Sequence, residues 1–425
     1  MNALSLFLFG VLFGDTSATQ PVKLDTTATG EDDRFGHSVL LRGGIAFVGA
    51  IGDDGEALDT GAVHVFEPEG TKWRRSQKLV PEEVGTGDWF GFSMDGDERH
   101  LVVGAPRDDT LGGNAGAVYV FSRIEHGWRL TSRLLPKNGR VGARFGHAVS
   151  LSGDRLAVGA WGDDTRGVRA GAVLIFTLTE EGWVEEAKLT ASDARPGDDF
   201  GRALSLDGDW LLVGKEGDSS AGVNRGAAYL YERTSDGWVE KTKLRAPDGA
   251  QGDHFGGSVC LTREILVIGA PGHDARGSSS GAAYVFGHLG NRWAFLERLA
   301  PRDGRPGAQF GTSIKIQGGR VVVGASNDSA LYEGAGAVYQ FGRRQGVWHQ
   351  LQKFVVRDEA RSEGLGWSVD CDGDTLLVGA RHADMSGANS GAVYAFGLDP
   401  RFVRASRRDG TERRPAFAST GGASR

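Results

Sequence analysis

Two cysteines in 425 residues exclude a fold held by disulfide staples. Cys260 and Cys371 fall at adjacent positions of the repeat described below, two units apart, and read as two small buried thiols rather than a bridge. Proline is also scarce, at 12 residues, which excludes a Pro-rich linker or a low-complexity chain. No stretch carries a helical hydrophobic period long enough to define a helix. Long apolar runs are missing too. The one candidate, residues 3–13 (ALSLFLFGVLF), is too short to span a bilayer. Followed by small residues that include Thr16 and Ala18, it reads as a secretory signal peptide over 1–18, although no Lys or Arg precedes it. Positive charge is lacking overall. The net charge is −7, and the last 29 residues carry seven Arg against Asp399, Asp409 and Glu412, which leaves the rest near −11. An acidic body argues against nucleic acid and anionic lipid as main partners and fits cations or neutral sugars. Catalytic signatures are absent: no Gly-x-Ser-x-Gly, no His-Glu-x-x-His, no Cys/His zinc spacing.

What the chain does have is glycine, 67 residues of it, on a strict period. A Phe-Gly pair opens at Phe35, Phe90, Phe145, Phe200, Phe255 and Phe310, with Leu365-Gly366 in the seventh place, every step being 55 residues. A first Gly-Ala falls at Gly49, Gly104, Gly159, Gly269, Gly324 and Gly379, and Gly214-Lys215 fills the remaining slot. A second recurs without exception from Gly61 to Gly391. Tryptophan stands at 73, 128, 183, 238, 293 and 348, and a basic-apolar pair such as Lys78-Leu79 or Arg133-Leu134 closes each unit. So many markers in one frame are the signature of an array or a propeller, in which one unit cannot bury its apolar face alone.

Each unit offers four strands. The first follows Phe-Gly, and a tight turn such as Ser152-Gly153-Asp154 leads to a second, continuous apolar run of the kind buried on both faces. The third starts at the second Gly-Ala and ends on an aromatic, from Phe66 to Phe396; the fourth runs from the Trp to the basic-apolar pair. The seventh unit stops after its third strand, while Lys23-Leu24 is the end of a unit whose beginning is missing. The expectation is an all-β, seven-bladed β-propeller of four-stranded antiparallel blades over 19–397, its last blade closed by the N-terminal strand. Residues 398–425, rich in Arg, Ser, Gly and Ala, read as a disordered tail.

These markers, with Gly104-Ala105-Pro106 and Gly269-Ala270-Pro271, resemble the FG-GAP repeat of the integrin α-subunit head and of many bacterial extracellular proteins. The resemblance covers residues 21–397. It implies a seven-bladed propeller that serves adhesion or ligand binding outside the cell. Several members carry a D-x-D-x-D-G calcium loop between the two motifs. Here that place holds only short turns, such as Asp95-Gly96-Asp97 and Asp372-Gly373-Asp374, with too few oxygen ligands. The kinship is therefore with the branch that lacks calcium loops, and no integrin partner is implied.

Acids recur on the face shared by the loop before the first strand and the loop between the second and third. Asp33, Asp88, Asp198, Asp253 and Glu363 precede Phe-Gly, and Asp53, Asp108, Asp163, Asp218 and Asp328 stand in the second loop. Repetition in every blade favours turn capping, with a cation site such as calcium between loops as the alternative. Residues that break the repeat are better ligand-binding candidates: His37, Phe92, His147, Arg202 and Trp367 directly after Phe-Gly, with Trp89, Trp161, His254 and His273 on the same face. The reading is an exported monomer, secreted, periplasmic or at the cell surface, that binds a glycan or protein ligand with these loops and performs no catalysis. The alternatives are a secreted carbohydrate-active lyase or hydrolase with its site at the channel mouth, and a pure scaffold.

Overall fold

The computed structural model describes residues 21–398 except 26, 28, 56, 291 and 358–362. The signal segment expected at 1–18 and the Arg-rich tail, but for Leu398, lie outside the described residues. Within them are 28 strands in seven four-stranded sheets, and no helix. Blade 1 is built from Phe35–Arg42, Ile45–Ala50, Ala62–Glu69 and Lys72–Leu79, paired antiparallel in chain order. Blades 2 to 6 repeat that order. Blade 7 has Ser368–Asp372, Thr375–Ala380 and Ala392–Gly397 from the C-terminal end, and its fourth strand is Val22–Lys23, with Val22 opposite Ala395 and Lys23 opposite Tyr394. The expected closure is therefore what the chain adopts. It gives blade 7 the fourth strand that covers the edge of its third, as in the other six blades.

Burial follows strand position. Second strands are buried almost throughout, because the blades on either side cover both faces; third strands are buried for five residues and then emerge; fourth strands alternate. The core lies between blades. One cluster joins Phe47, Val63, Val65 and Leu79 of blade 1 to Phe90, Leu101, Tyr119 and Phe121 of blade 2. Phe90 meets Phe121 at 6.0 Å and Phe35 meets Phe66 at 5.9 Å, edge to face or tilted, and each such buried ring is worth roughly 1.5–3 kcal/mol of transfer. The outer-strand tryptophans cover the rim half-buried, except Trp128 and Trp348, which are buried. A β-bulge between the third and fourth strands recurs in the first six blades, as at Val120/Phe121.

The glycines explain the repeat. A Cβ on Gly104 would stand 1.9 Å from the carbonyl oxygen of Gly146 in the next blade, and one on Gly116 would stand 2.1 Å from that of Phe145. Phe-Gly and Gly-Ala are thus two sides of one inter-blade contact too close for any side chain. Backbone bonds lock the same junction: Gly142, Arg144 and Phe145 donate their N–H groups to the carbonyls of Gly113, Asn114 and Ala115.

The channel along the axis is filled by polar side chains of the inner strands. The Arg42 guanidinium bridges Asp370 (2.7 Å) and Asp95 (3.1 Å), and Lys315 pairs with Asp370 at 2.6 Å. Asp95, Ser150, Ser205 and Asp370 each accept the backbone N–H of the next blade's inner strand, at Leu151, Leu206, Leu261 and Leu41. Cys260 and Cys371 lie on inner strands and are unbridged, as expected; burial pushes the Cys371 thiol up to about 12.

Candidate functional site

Five residues before Asp95, Ser150, Ser205, Lys315 and Asp370 of that channel ring, on the inner strands' approach, the chain passes through Phe-Gly or its Leu365-Gly366 counterpart. The residue preceding Phe-Gly has positive φ in all seven blades: Arg34, Trp89, Arg144, Asp199, His254 and Gln309 at 54–58°, and Gly364 at 80°. Only one of the seven is glycine, although L-residues rarely adopt this region and strain of about 1 kcal/mol or more attends each. The inter-blade backbone bonds impose the conformation, and it throws the side chain at this position toward the end of the barrel where the inner strands begin.

There the structure gathers a single cavity of about 620 Å³. All seven residues directly after Phe-Gly line it: His37, Phe92, His147, Arg202, Gly257, Thr312 and Trp367. The remainder of the wall is Glu216, Gly252, His254, Pro271, Gly272, Ser279 and Gln309. Not one Leu, Ile, Val or Met is among them.

One half of the mouth is a run of planar groups. Phe92 lies between the two imidazoles, 4.5 Å from His37 and 4.7 Å from His147, and stacks on Trp89 at 6.0 Å with planes 5° apart. Trp161 meets His147 edge to face at 5.8 Å. Guanidiniums cover the indoles: Arg107 sits 3.2 Å over Trp89, Arg381 3.2 Å over Trp367, and Arg144 5.1 Å over Trp161. The other half has the Arg202–Glu216 ion pair and otherwise mostly small or uncharged groups, with Gly257 leaving open the space that Phe92 or Trp367 fills in its own blade.

Both imidazoles are neutral at neutral pH. Burial, reinforced by Arg381 and His147, holds His37 well below the usual value; burial and the Arg202 cation bring His147 down to about 3. Their partners fix opposite tautomers. Arg381 donates to Nδ1 of His37 (3.3 Å), so its Nε2 carries the proton, whereas Nδ1 of His147 donates to the Arg202 carbonyl (3.2 Å), so its Nε2 accepts. A donor and an acceptor thus flank the Phe92 ring. Glu216, the carboxylate on the wall, is tied to Arg202 at 2.5 Å.

Of the nine residues expected to bind ligand, His37, Phe92, His147, Arg202, His254 and Trp367 line the cavity. Trp89 and Trp161 form a layer behind it. His273 is elsewhere: it is buried inside blade 5, 5.9 Å from Tyr284 and within 4.0 Å of Asp248 and Asp253, at the position Asp53 holds in blade 1. The recurring acids serve the blades. Asp33, Asp88, Asp198 and Asp253 accept the N–H three residues earlier (2.5–2.7 Å), and Asp53, Asp163 and Asp218 clamp Lys78, Lys188 and Lys243 at 2.6–2.7 Å. Among the described residues no three His, Cys, Asp or Glu side chains converge as a metal site would require. The sequence reading missed Glu216, Gln309 and the arginines Arg34, Arg107, Arg144 and Arg381. The signal was present, because the column before Phe-Gly and the column after the first Gly-Ala (Trp161, Glu216, Arg381) differ between blades as much as the column that was followed.

Fold and mouth together define a seven-bladed, velcro-closed propeller with blade-invariant walls and a blade-variable axial opening. A sequence profile described as FG-GAP repeat matches residues 19–66, 73–121, 128–176, 183–231, 238–286, 293–341 and 348–396, and the chain belongs to that family. Each of these units begins on the fourth strand of one blade and ends on the third strand of the next, so every unit carries one blade junction within it.

Proposed function

We propose that the protein is an exported glycan-binding module whose ligand sits in the axial mouth, and that it acts without catalysis. One observation carries this: where the blades are otherwise copies, the seven residues after Phe-Gly are of six kinds, only histidine recurring, and all meet in one cavity. A scaffold alone has no use for such variety at one equivalent position. The lining favours sugar over a protein anchor. Aromatic planes fit pyranose faces, a neutral imidazole donor and acceptor fit hydroxyls, and no aliphatic side chain offers a pocket for a Leu or Met of a partner. The absence of a free carboxylate pair on the wall supports binding rather than glycosidic cleavage, since Glu216 is held by Arg202.

The test is a thermal-shift and affinity screen of the full chain against soluble polysaccharides, neutral and charged. Binding should raise the midpoint by a few degrees at ligand about 100-fold above Kd, where stabilisation is about 2.7 kcal/mol. Trp367→Ala and His147→Ala should lose the shift while Trp238→Ala, on the outer rim, keeps it. A screen in which only proteins or peptides bind would overturn the glycan reading, and release of shortened chains on incubation would overturn the non-catalytic one. Export is tested by sequencing the N-terminus of the protein recovered outside the cytoplasm, where loss of residues 1–18 is expected.

A further inference from the structure

The arginines at the mouth divide into two kinds. Arg169 grips Asp199 in a fork at 2.7 and 2.9 Å, and Arg202 holds Glu216. Arg34, Arg107, Arg144 and Arg381 have no carboxylate within ion-pair distance among the described residues. They are not free surface chains. All four are half-buried, three lie on indole faces, and the Nε atoms of Arg34 and Arg107 are buried without a hydrogen-bond partner. They come from blades 1, 2, 3 and 7, consecutive around the ring, and so form an arc behind the aromatic half of the mouth. Three of them lie behind planar groups of the mouth: Arg381 behind Trp367, which lines the cavity, Arg107 behind Trp89 and Phe92, and Arg144 behind Trp161 and His147.

Unpaired cations packed together repel one another. Burial and then the neighbours Arg144 and Arg34 hold Arg107 below the ordinary guanidinium value, while burial and Arg34 bring Arg381 down to about 10. Asp59 partly offsets this at Arg107, but among the described residues no carboxylate forms an ion pair with any of the four, although a chain of net charge −7 has carboxylates to spare. The complement it lacks is an anion supplied from outside, beside planes that accept a sugar ring.

Resting on the glycan-binding reading above, we infer that the ligand is an acidic polysaccharide whose carboxylate groups are drawn to the mouth by the positive field of Arg34, Arg107, Arg144 and Arg381, which lie behind the rings that take its sugar faces. The acidic remainder of the surface repels such a chain, so attraction is confined to the mouth. An acidic peptide shares the charge but not the fit, because it has no ring faces to lay on Phe92 and Trp367.

The probes are polygalacturonate, the same polymer with its carboxylates methyl-esterified, and polyglutamate, each against the full chain by calorimetry. Polygalacturonate is expected to bind at least about 10-fold tighter than its ester at ~0.01 M salt, with the advantage shrinking by ~0.5 M as screening sets in. Arg107→Gln and Arg34→Gln should each erase much of that advantage without weakening the ester, and Arg107→Lys should restore part of it. Retained binding of the ester shows that these variants are folded. Equal affinity for acid and ester would overturn the acidic-ligand inference and leave the glycan module standing. Binding of neither polymer, with a neutral glycan bound instead, would do the same. Polyglutamate binding as tightly as polygalacturonate would overturn both.

Discussion

Gly104 is held so close to the next blade that its missing side chain is a structural requirement. Gly104→Ala places a methyl 1.9 Å from a backbone carbonyl, which cannot yield without parting two blades. We expect a loss of about 3 kcal/mol or more, read from denaturant midpoints. Gly153→Ala is the control: φ is +62° in a turn with nothing within 4 Å, and the loss should be about 1 kcal/mol. Equal losses would show that the inter-blade contact is not what fixes the glycine. At the mouth, the same scale of argument gives a pH dependence. His147 has a value of about 3 in the folded chain, against about 6.5 for an ordinary imidazole. Between those values the unfolded chain binds a proton that the folded chain refuses, so stability falls as pH drops through that window. His147→Gln should remove part of the fall between about pH 6.5 and 4, seen as a flatter plot of midpoint against pH. A plot unchanged by the substitution would place the imidazole in water.

Within a blade, the ties are between strands and the loop that caps them. Asp108 collects the Arg133 guanidinium at 2.5 Å and the Tyr119 hydroxyl at 2.9 Å, and Asp328 repeats the arrangement with Lys353 and Tyr339. Blade 4 adds a cation. Lys215, at the position of Ala50 and Ala105, is fully buried and reaches Asp198 (2.8 Å) and Asp193 (3.0 Å). Blade 1 shows what happens without it: burial and then Asp53 push the Asp33 carboxyl up to about 6. Lys215→Ala should leave the buried Asp198 carboxylate without its cation, and we expect a loss of about 3–5 kcal/mol at pH 7, read from denaturant midpoints. Part of an electrostatic loss should return in acid, where carboxylates take up protons. A loss independent of pH would point to a cavity instead. Blade composition was open to sequence reading because each strand and turn is printed seven times. The mouth was only half open to it. His273 breaks a column of acids and still serves its own blade, so disagreement between blades does not by itself mark the mouth; what marks it is disagreement in the columns beside Phe-Gly and after the first Gly-Ala. Arg381 and His37 belong to one site only because the ring closes and brings blade 7 beside blade 1.

For the molecule as a whole, the decisive pair is Val22–Lys23 against the third strand of blade 7. Leu24 beside it is fully buried with Phe35, Leu377 and Val393. Leu24→Ala should cost about 2–4 kcal/mol, and a chain beginning at residue 29 should lose more and self-associate through the opened edge, seen as larger species in light scattering. A truncated chain that stays monomeric with an unchanged midpoint would show that the ring does not need its closing strand. The partial unit at each end makes this closure legible in the sequence, since each end holds the strands that the other lacks. The closing pair also sets a clock. The closing strand is made before the other strands of its blade and finds its partner last, so the ring cannot shut until blade 7 has been made. In reverse, no blade can leave a shut ring without breaking two junctions at once, and the two-residue latch is the cheapest place to start. Weakening the latch should then shorten the lifetime of the native state by more than it lowers the equilibrium stability of the blades it joins, if latching follows the folding barrier.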